Sequence, residues 1–245
     1  MNLKENLSEL RATTKLQWKL ASMIPGTQRQ TLLRQLREIS KNVSCPHNES
    51  EILTVGLEVL SIPKDREGYV VEAGLYKGGS TAKISLFCKL SGRKLVAFDS
   101  FEGIPENTEE HAKSTLGHSL EGWFAKGTWC GSLDEVKANI EKYGEMEVCT
   151  FIKGWFENTM PDFKEKIAVA YLDVDLAAST RTCLKYLYPL IVSGGVLYSQ
   201  DGDIPLAAAV FRDERFWEEW EEEVGFKMPH IENLGKKLIK VTKNV

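Results

Sequence analysis

The stretch VVEAGLYKGGST, residues 70–81, determines the predicted fold. It begins as an apolar strand, turns through glycines, and reaches the start of a helix near Ser80. Gly74 and Gly78 are four residues apart, and glycine in such a turn lets the backbone approach a ligand closely. The free N–H groups of the following helix can hold an anion, and Glu72 at the strand end offers a carboxylate to a cation. The stretch lacks both the G-x-G-x-x-G pattern and a phosphate loop, so it suits a zwitterionic ligand; a plain structural turn is the alternative.

A second motif, KLVAFDSFEGIP at residues 94–105, follows one strand-helix-strand unit later. Its strand ends in Asp99, which is 99 − 72 = 27 residues after Glu72. An acidic residue at the end of the second strand characteristically accepts hydrogen bonds from ribose hydroxyls. We therefore favour ribose binding for Asp99, with a helix cap or turn residue as the alternative.

The remaining strands extend the same pattern along the chain. CTFIKGW, AVAYLDVD and GGVLYSQD are further apolar runs, and helical stretches separate them. Continuous apolar runs indicate strands buried on both faces, as in a parallel sheet covered by helices. The predicted fold class is therefore α/β, with a doubly wound, mostly parallel sheet whose ligands bind beyond the carboxyl ends of the strands.

The two ends of the chain differ from this core. Residues 1–65 carry apolar side chains at helical spacing and no strand signal, which predicts an N-terminal helical cap. After the acidic helix RDERFWEEWEEEV, the segments FKMPHIEN and KKLIKVTK predict an antiparallel hairpin at one edge of the sheet. Residues 66–245 are expected to form one structural unit.

Composition narrows the possible partners. The chain has 245 residues, with 31 basic and 35 acidic side chains, and its net charge of −4 gives no basis for binding nucleic acid or an anionic membrane. No apolar run is long enough to cross a membrane, and the N-terminal stretch is not a secretory signal. Five cysteines without a C-x-x-C pair favour reduced thiols. We therefore expect a cytoplasmic protein that acts on a small molecule.

Five strings occur in order between about residues 68 and 240: VEAGLYKGGST, DSFEGIP, KGWFENTMP, YLDVDLAAST and YLYPLIVSGGVLYSQD. Together they resemble the class I S-adenosylmethionine-dependent methyltransferases, which have a Rossmann-like fold. Within that class the chain resembles the macrocin O-methyltransferase family, whose members methylate sugar hydroxyls of natural products. The resemblance implies S-adenosylmethionine as cofactor.

Carried over by position, the resemblance implies a cofactor site at the ends of the first four strands. Glu72 and Gly74 would line the methionine portion, and Ser80 would hold its carboxylate. Trp155 would edge the adenine, because an aromatic ring offers a purine a flat apolar surface; a core aromatic is the alternative. The full predicted cofactor set is Glu72, Gly74, Tyr76, Gly78, Ser80, Asp99, Ser100, Gly154, Trp155, Phe156 and Asp173.

The predicted reaction centre begins in YLDVDLAAST, where Asp173 and Asp175 point to the same side of an extended strand end. Like charges that close need a cation or a shared proton. In the family the first aspartate is a metal ligand, joined by an Asp-Asp pair after the next strand. This chain has Gln200 and Asp201 there, which removes one negative charge. We still predict Mg²⁺ held by Asp173, Gln200 and Asp201, with Asp203 either supporting the site or capping a helix.

Asp175 is the predicted general base, because a carboxylate beside a metal-bound hydroxyl can accept its proton. A salt bridge or helix cap is the alternative role. Residues 106–132 predict a functional lid or a mobile segment. His111 and His118 are expected to be solvated and are left outside the catalytic set; contact with the acceptor, or a role as an alternative base, is the other interpretation. The N-terminal helices are expected to cover the acceptor pocket, to form a homodimer contact, or both.

The sequence thus predicts an S-adenosylmethionine-dependent O-methyltransferase, assisted by Mg²⁺, that acts on a hydroxyl of a sugar or glycosylated metabolite. A catalytically silent S-adenosylmethionine-binding scaffold is one alternative, and Gln200 is the residue that supports it. An NAD-dependent oxidoreductase is the other alternative, which the missing G-x-G-x-x-G disfavours.

Overall fold

The computed structural model describes residues 3–224 and 228–244. The helices of this part are α1 (Leu3–Met23), α2 (Gly26–Asn42), α3 (Glu49–Ser61), α4 (Gly79–Ser91), α5 (Leu133–Tyr143), α6 (Phe156–Thr159), α7 (Ala177–Leu187), α8 (Pro205–Val210) and α9 (Glu214–Val224). The strands are β1 (Tyr69–Ala73), β2 (Leu95–Asp99), β3 (Cys149–Lys153), β4 (Ile167–Leu172), β5 (Ile191–Ser199), β6 (Ile231–Leu234) and β7 (Leu238–Thr242). None of the helices described has the length and apolar character needed to cross a membrane.

The strands form one seven-stranded sheet in the order β3-β2-β1-β4-β5-β7-β6. The first five strands pair in parallel, and β7 and β6 pair antiparallel at the edge beside β5. This confirms the predicted doubly wound sheet and its C-terminal edge hairpin. The hairpin's first strand begins at Ile231, and residues 226 and 227 of the predicted segment lie outside the described residues.

The core has two layers because successive side chains of a strand face opposite sides of the sheet. Val70 of β1 faces the cluster that contains α1 to α5, whereas Val71 faces the cluster that contains α7, α8 and Trp217 of α9. Both valines are completely buried. The near-continuous apolar strands of the sequence follow from this, since each strand must be apolar on both faces.

The link between α2 and α3 runs toward the carboxyl edge of the sheet. Its last residue, Asn48, caps α3 in a reciprocal capping box with Glu51, whose Oε2 accepts the Asn48 N–H at 2.8 Å. Such a box fixes where the helix begins and the angle at which the chain enters it. The residues just before Asn48, including His47, are thereby held near the sheet edge.

The long connection between β2 and α5 is closed over the same edge. Apart from one isolated bridge between Lys113 and Ser119, it has no regular strand or helix. A third apolar cluster joins it to the body, with Phe124 of the connection packed among residues that include Leu176 and Ile204. The carboxylate of Glu109 also accepts two backbone N–H groups at the start of α7, each at 2.9 Å. The predicted lid is therefore docked in this structure.

Candidate active site

A large cleft lies beyond the carboxyl ends of the parallel strands, where a doubly wound sheet binds its ligands. Counted out to its open mouth, its volume is about 1140 Å³, in the range of clefts that hold small ligands. Its walls come from the ends of β1 to β5, from the docked connection after β2, and from the edge hairpin. One end is lined by residues of the predicted cofactor set, and the other by the carboxylates of the predicted reaction centre.

The turn after β1 contains one position, Gly74, at which only glycine fits the backbone conformation and the space available. Gly74 has φ of +84°, and a Cβ added there would overlap the carbonyl oxygen of Asp173. Tyr76 also has a positive φ, of +49°, which costs energy in a residue with a side chain. The strained turn and the bare Gly74 backbone form a wall of the cleft that a ligand can approach closely.

Asp99 lies at the end of β2 with its carboxylate held by the backbone. Oδ2 accepts the Leu75 N–H at 2.7 Å, and Oδ1 accepts the Phe101 N–H at 2.6 Å. Burial raises the pKa of Asp99, although these N–H groups oppose the rise. The carboxylate lines the cleft in a fixed orientation, as recognition of a diol requires.

The end of β3 completes this side of the cleft. The Gly154 N–H donates to the Asp99 carbonyl oxygen at 2.9 Å, which brings the residues after β3 beside β2. Gly154, Trp155 and Phe156 all line the cleft, as does Ser100. The structure thus brings together most of the predicted cofactor set on one wall.

Three predicted cofactor residues lie behind that wall. Glu72 of β1 lies on the face of the sheet that α4 covers, and it is completely buried. Neither of its carboxylate oxygens has a hydrogen-bond partner among the described residues. Burial raises the pKa of Glu72 to about 8, against the lowering effect of the nearby Ser80 and Thr81 hydroxyls. Gly78 adopts a left-handed conformation at the start of α4, and Ser80 is buried in its first turn. Direct contact of these residues with a cofactor stays a prediction.

The predicted reaction centre is a cluster of three carboxylates at the cleft: Asp173, Asp175 and Asp201. One oxygen from each lies within 4.8 Å of the others. Asp201 Oδ2 accepts the Val174 N–H at 3.1 Å and the Asp175 N–H at 3.2 Å, so the β5 carboxylate fixes the turn after β4. Asp175 has φ of +62°, a strained conformation that aims its side chain back toward the cluster.

Crowding of the carboxylates makes their ionisation unfavourable. Burial raises the pKa of Asp201 to about 8, and the charge of Asp173 adds to the effect. Burial, followed by the charges of Asp201 and Asp173, raises the pKa of Asp175 well above its usual range. Such a cluster is stabilised by a cation.

Carboxylate oxygens at this spacing fit a Mg²⁺ ion, which prefers oxygen ligands. The three carboxylates that lie close enough together to share an ion are those of Asp173, Asp175 and Asp201. The side chain of Gln200, a predicted ligand, forms hydrogen bonds to other residues instead. Its Oε1 accepts from the Tyr171 hydroxyl at 3.1 Å, and its Nε2 donates to Glu51 Oε2 at 2.9 Å. Gln200 lines the cleft, but its role as a metal ligand stays a prediction.

His47, on the α2–α3 link, is a site residue that the sequence analysis missed. Its Nε2 lies 2.8 Å from Asp173 Oδ2, and its side chain is only 4% exposed. Although burial lowers the pKa of His47, the Asp173 carboxylate raises it well above its usual value. No local pattern marks this residue, because its partner lies 126 residues further along the chain.

The docked connection supplies an aromatic wall to the cleft. Trp123, Phe124 and Trp129 line it, and the Trp129 ring meets the Tyr76 ring edge-on at 5.4 Å. The expectation of a solvated His111 is wrong, because its side chain is 3% exposed and its Nε2 lies 3.1 Å from Glu109 Oε2. His118 is exposed as expected, and neither histidine lines the cleft.

The sheet order, the glycine turn after β1 and the acidic cluster at the strand ends define a Rossmann-like fold of the methyltransferase type. The O-methyltransferase NovP matches it with a TM-score of 0.61 at 21% identity, covering 80% of this chain and 78% of that chain. The calicheamicin methyltransferase CalS11 matches it with a TM-score of 0.63 at 15% identity, covering 99% and 93%.

The sequence comparison is more specific than the fold. The macrocin-O-methyltransferase (TylF) family model matches residues 58–231, and the chain belongs to this family. An 8-demethyl-8-(2,3-dimethoxy-alpha-L-rhamnosyl)-tetracenomycin-C 4'-O-methyltransferase from Streptomyces olivaceus is 32% identical over 154 residues, 60% of this chain and 58% of the relative. A demethyldecarbamoylnovobiocin O-methyltransferase from Streptomyces niveus is 30% identical over 139 residues, 55% and 52% respectively. The matches thus span between half and three fifths of these relatives.

Proposed function

We propose that this protein transfers the methyl group of S-adenosylmethionine to a hydroxyl of a sugar or glycosylated small molecule, with assistance from Mg²⁺. The observation that carries the proposal is the pairing of two sites in one cleft. The Gly74 turn, the fixed Asp99 carboxylate and the Trp155 ring form one end, and the carboxylate cluster forms the other. Free cysteines among the described residues favour a cytoplasmic enzyme.

The residues at the first end fit S-adenosylmethionine. Gly74 leaves a bare backbone that a Cβ would fill, Asp99 offers oriented acceptors for a ribose, and Trp155 offers a flat surface for a purine. When bound, S-adenosylmethionine supplies an electrophilic methyl group on a sulfonium. The protein's part is to hold the acceptor oxygen in line with that methyl group.

The residues at the second end would activate the acceptor. Asp175 accepts the proton of the acceptor hydroxyl at a carboxylate oxygen, which makes the oxygen a better nucleophile. Asp173 and Asp201 would hold Mg²⁺ beside Asp175, with Gln200 as a further candidate ligand, and the metal would lower the pKa of a bound hydroxyl. Positive charge there also lowers the pKa of Asp175 itself, so that the base is ionised near neutral pH.

The wall opposite the carboxylates supports a glycosylated acceptor. Trp123 and Trp129 line the cleft with their ring centroids 5.8 Å apart, and such rings offer apolar surface to flat or glycosylated molecules. In the matched relatives, the printed names describe methylation of a rhamnosyl compound and of a novobiocin precursor. These names support the proposed class of acceptor without identifying it.

The test combines cofactor binding with turnover. Calorimetry should show binding of S-adenosylmethionine but not of NADH, and a panel of glycosylated acceptors should take up labelled methyl groups in a reaction that excess EDTA suppresses. Asp175→Asn should lower turnover by about 10²–10⁴-fold with near-normal cofactor affinity, whereas Asp162→Asn, at an exposed aspartate outside the cleft, serves as the matched control.

Each failure points to a different error. Full activity in excess EDTA would refute the proposed role of Mg²⁺. Full activity of Asp175→Asn would refute the proposed role of Asp175 as general base. Tight S-adenosylmethionine binding without turnover on any acceptor would favour a silent scaffold. Absence of S-adenosylmethionine binding would refute the class of enzyme.

A further inference from the structure

A second cluster of reactive side chains lies directly behind the reaction centre. Cys45 Sγ is 3.4 Å from His47 Nδ1 and 3.4 Å from Lys83 Nζ. The opposite nitrogen of the same imidazole, Nε2, contacts Asp173. We call Cys45, His47 and Lys83 the thiol site. Of the three contacts just given, the one between His47 and Asp173 joins the thiol site to the reaction centre.

Lys83 is the first reason to regard Cys45 as a thiolate. It projects from α4 and is 3% exposed, and its ammonium donates to the Cys45 sulfur. A buried ammonium is costly unless a counter-charge compensates it. A thiolate at Cys45 supplies that charge within contact distance.

The other cysteines differ from Cys45 in their surroundings. Burial raises the pKa of the Cys45 thiol, but His47 and Lys83 outweigh it and bring the pKa down to about 7. Cys88 and Cys183 are buried, and burial raises the pKa of both well above the usual range. Cys45 is only half-buried, so a small reagent can reach a sulfur that is already ionised in part at neutral pH.

The space around the sulfur ties its chemical state to the reaction centre. On the α4 side, a Cβ added to Gly79 would lie 2.6 Å from Cys45 Cβ, so the Cys45 side chain is closely packed against the helix. Oxidation of the sulfur changes the group that contacts both His47 Nδ1 and Lys83 Nζ, each at 3.4 Å. The same imidazole contacts Asp173 through Nε2, so a shift of the His47 ring would disturb the carboxylate cluster.

We propose that Cys45 is a modification site, at which a hydroperoxide oxidises the thiolate to a sulfenic acid and so disturbs the reaction centre through His47. The sulfur attacks one peroxide oxygen, an S–O bond forms and the O–O bond breaks. The departing hydroxide from hydrogen peroxide, or alkoxide from an organic hydroperoxide, takes a proton from solvent and leaves as water or an alcohol, so that sulfur is oxidised by two electrons and the peroxide is reduced. The effect on turnover rests on the proposed methyltransferase function, whereas the oxidation itself does not.

The chemical test compares cysteines within one protein. The purified full chain is treated with hydrogen peroxide at pH 6, sulfenic acid is trapped with dimedone, and each cysteine is quantified by peptide mass spectrometry. Cys45 should react about fivefold faster than Cys130, although Cys130 is the more exposed. The reason is that His47 and Lys83 stabilise the Cys45 thiolate, and this gain is larger than the loss of nucleophilicity that a lower pKa brings. Lys83→Met should slow Cys45 by about threefold, and Lys83→Gln is a second variant should the first not fold.

Cys130→Ser is the matched control, and it should change neither the Cys45 rate nor turnover. Faster oxidation of Cys130 than of Cys45, or wild-type rates at Cys45 in both Lys83 variants, would overturn the thiol site. Turnover should fall in proportion to Cys45 oxidation and return with dithiothreitol, and the remaining turnover of Cys45→Ser should resist peroxide. Oxidised Cys45 with undiminished turnover would overturn the coupling through His47. If no acceptor takes up a methyl group, the proposed function is refuted. The dimedone labelling rates would still test the thiol site, because they do not depend on turnover.

Discussion

Replacing Glu72 with glutamine should flatten the pH dependence of the protein's stability in the absence of ligand. The Glu72 carboxyl is completely buried under α4 without a hydrogen-bond partner among the described residues, and burial raises its pKa from 4.5 to about 8. The folded protein therefore keeps a proton on Glu72 in a range where the unfolded chain has lost it. Stability from this group is complete below pH 4.5, falls as the pH rises, and levels off above about pH 8.

The size of the effect follows from the two pKa values. Between them, each pH unit costs about 1.4 kcal/mol, and allowing for partial ionisation near pH 8 the loss from pH 6 to pH 8 is about 2 kcal/mol. Glutamine has nearly the same shape but no proton to lose, so Glu72→Gln should lack this component. Its fixed cost as a buried amide is the same at both pH values.

The assay is urea unfolding of wild type and variant at pH 6 and pH 8 without cofactor. The wild-type free energy of unfolding should fall by about 2 kcal/mol more than that of the variant, and this double difference cancels the other titrating groups. Glu165→Gln, at an exposed glutamate, should follow the wild type. Parallel wild-type and Glu72→Gln curves would show that Glu72 is ionised in the folded protein, and the inference of an unpartnered neutral carboxyl would be wrong.

Three further changes test the cleft. Gly74→Ala should lower S-adenosylmethionine affinity at least tenfold by calorimetry and cost about 1–3 kcal/mol of stability, because the added Cβ overlaps the Asp173 carbonyl oxygen and φ is positive; normal binding would exclude the turn from the cofactor wall. Glu109→Ala should cost about 1–2 kcal/mol and speed proteolysis of the connection after β2, since two N–H groups of α7 lose their acceptor; unchanged cleavage would mean that the apolar cluster alone holds the lid. Asp99→Asn should weaken cofactor binding about tenfold, because the Leu75 and Phe101 N–H groups each use one carboxylate oxygen and an amide with one acceptor oxygen leaves less capacity for a ribose; equal affinity would argue against ribose recognition there.

The fold was predictable because its signals are local. Each central strand must be apolar on both faces, and each turn at the carboxyl edge carries residues with a specific backbone or charge requirement, such as Gly74 and Asp99. Strand order then follows from right-handed crossovers and from the position of the glycine turn. Local periodicity was therefore enough to predict the sheet and its edge hairpin.

Parts of the site could not be predicted because they depend on contacts between distant segments. His47 meets Asp173 across 126 residues, and Gln200 meets Glu51 across 149. Only the packing of α3 on the sheet brings these pairs together. His111 was misjudged because a polar loop sequence does not reveal that its imidazole will contact Glu109 and the Phe124 ring and be buried.

The division of the reaction centre between the α2–α3 link, β4 and β5 has a consequence for biosynthesis. His47 leaves the ribosome 201 − 47 = 154 residues before Asp201, roughly 10–30 s at ordinary rates of translation. During that interval β1 to β4 are made in turn, so the α2–α3 link is complete long before the last part of the carboxylate cluster exists. A chain that ends before Asp201 has the glycine turn after β1 but lacks the carboxylate that accepts the Val174 and Asp175 N–H groups and fixes the turn after β4.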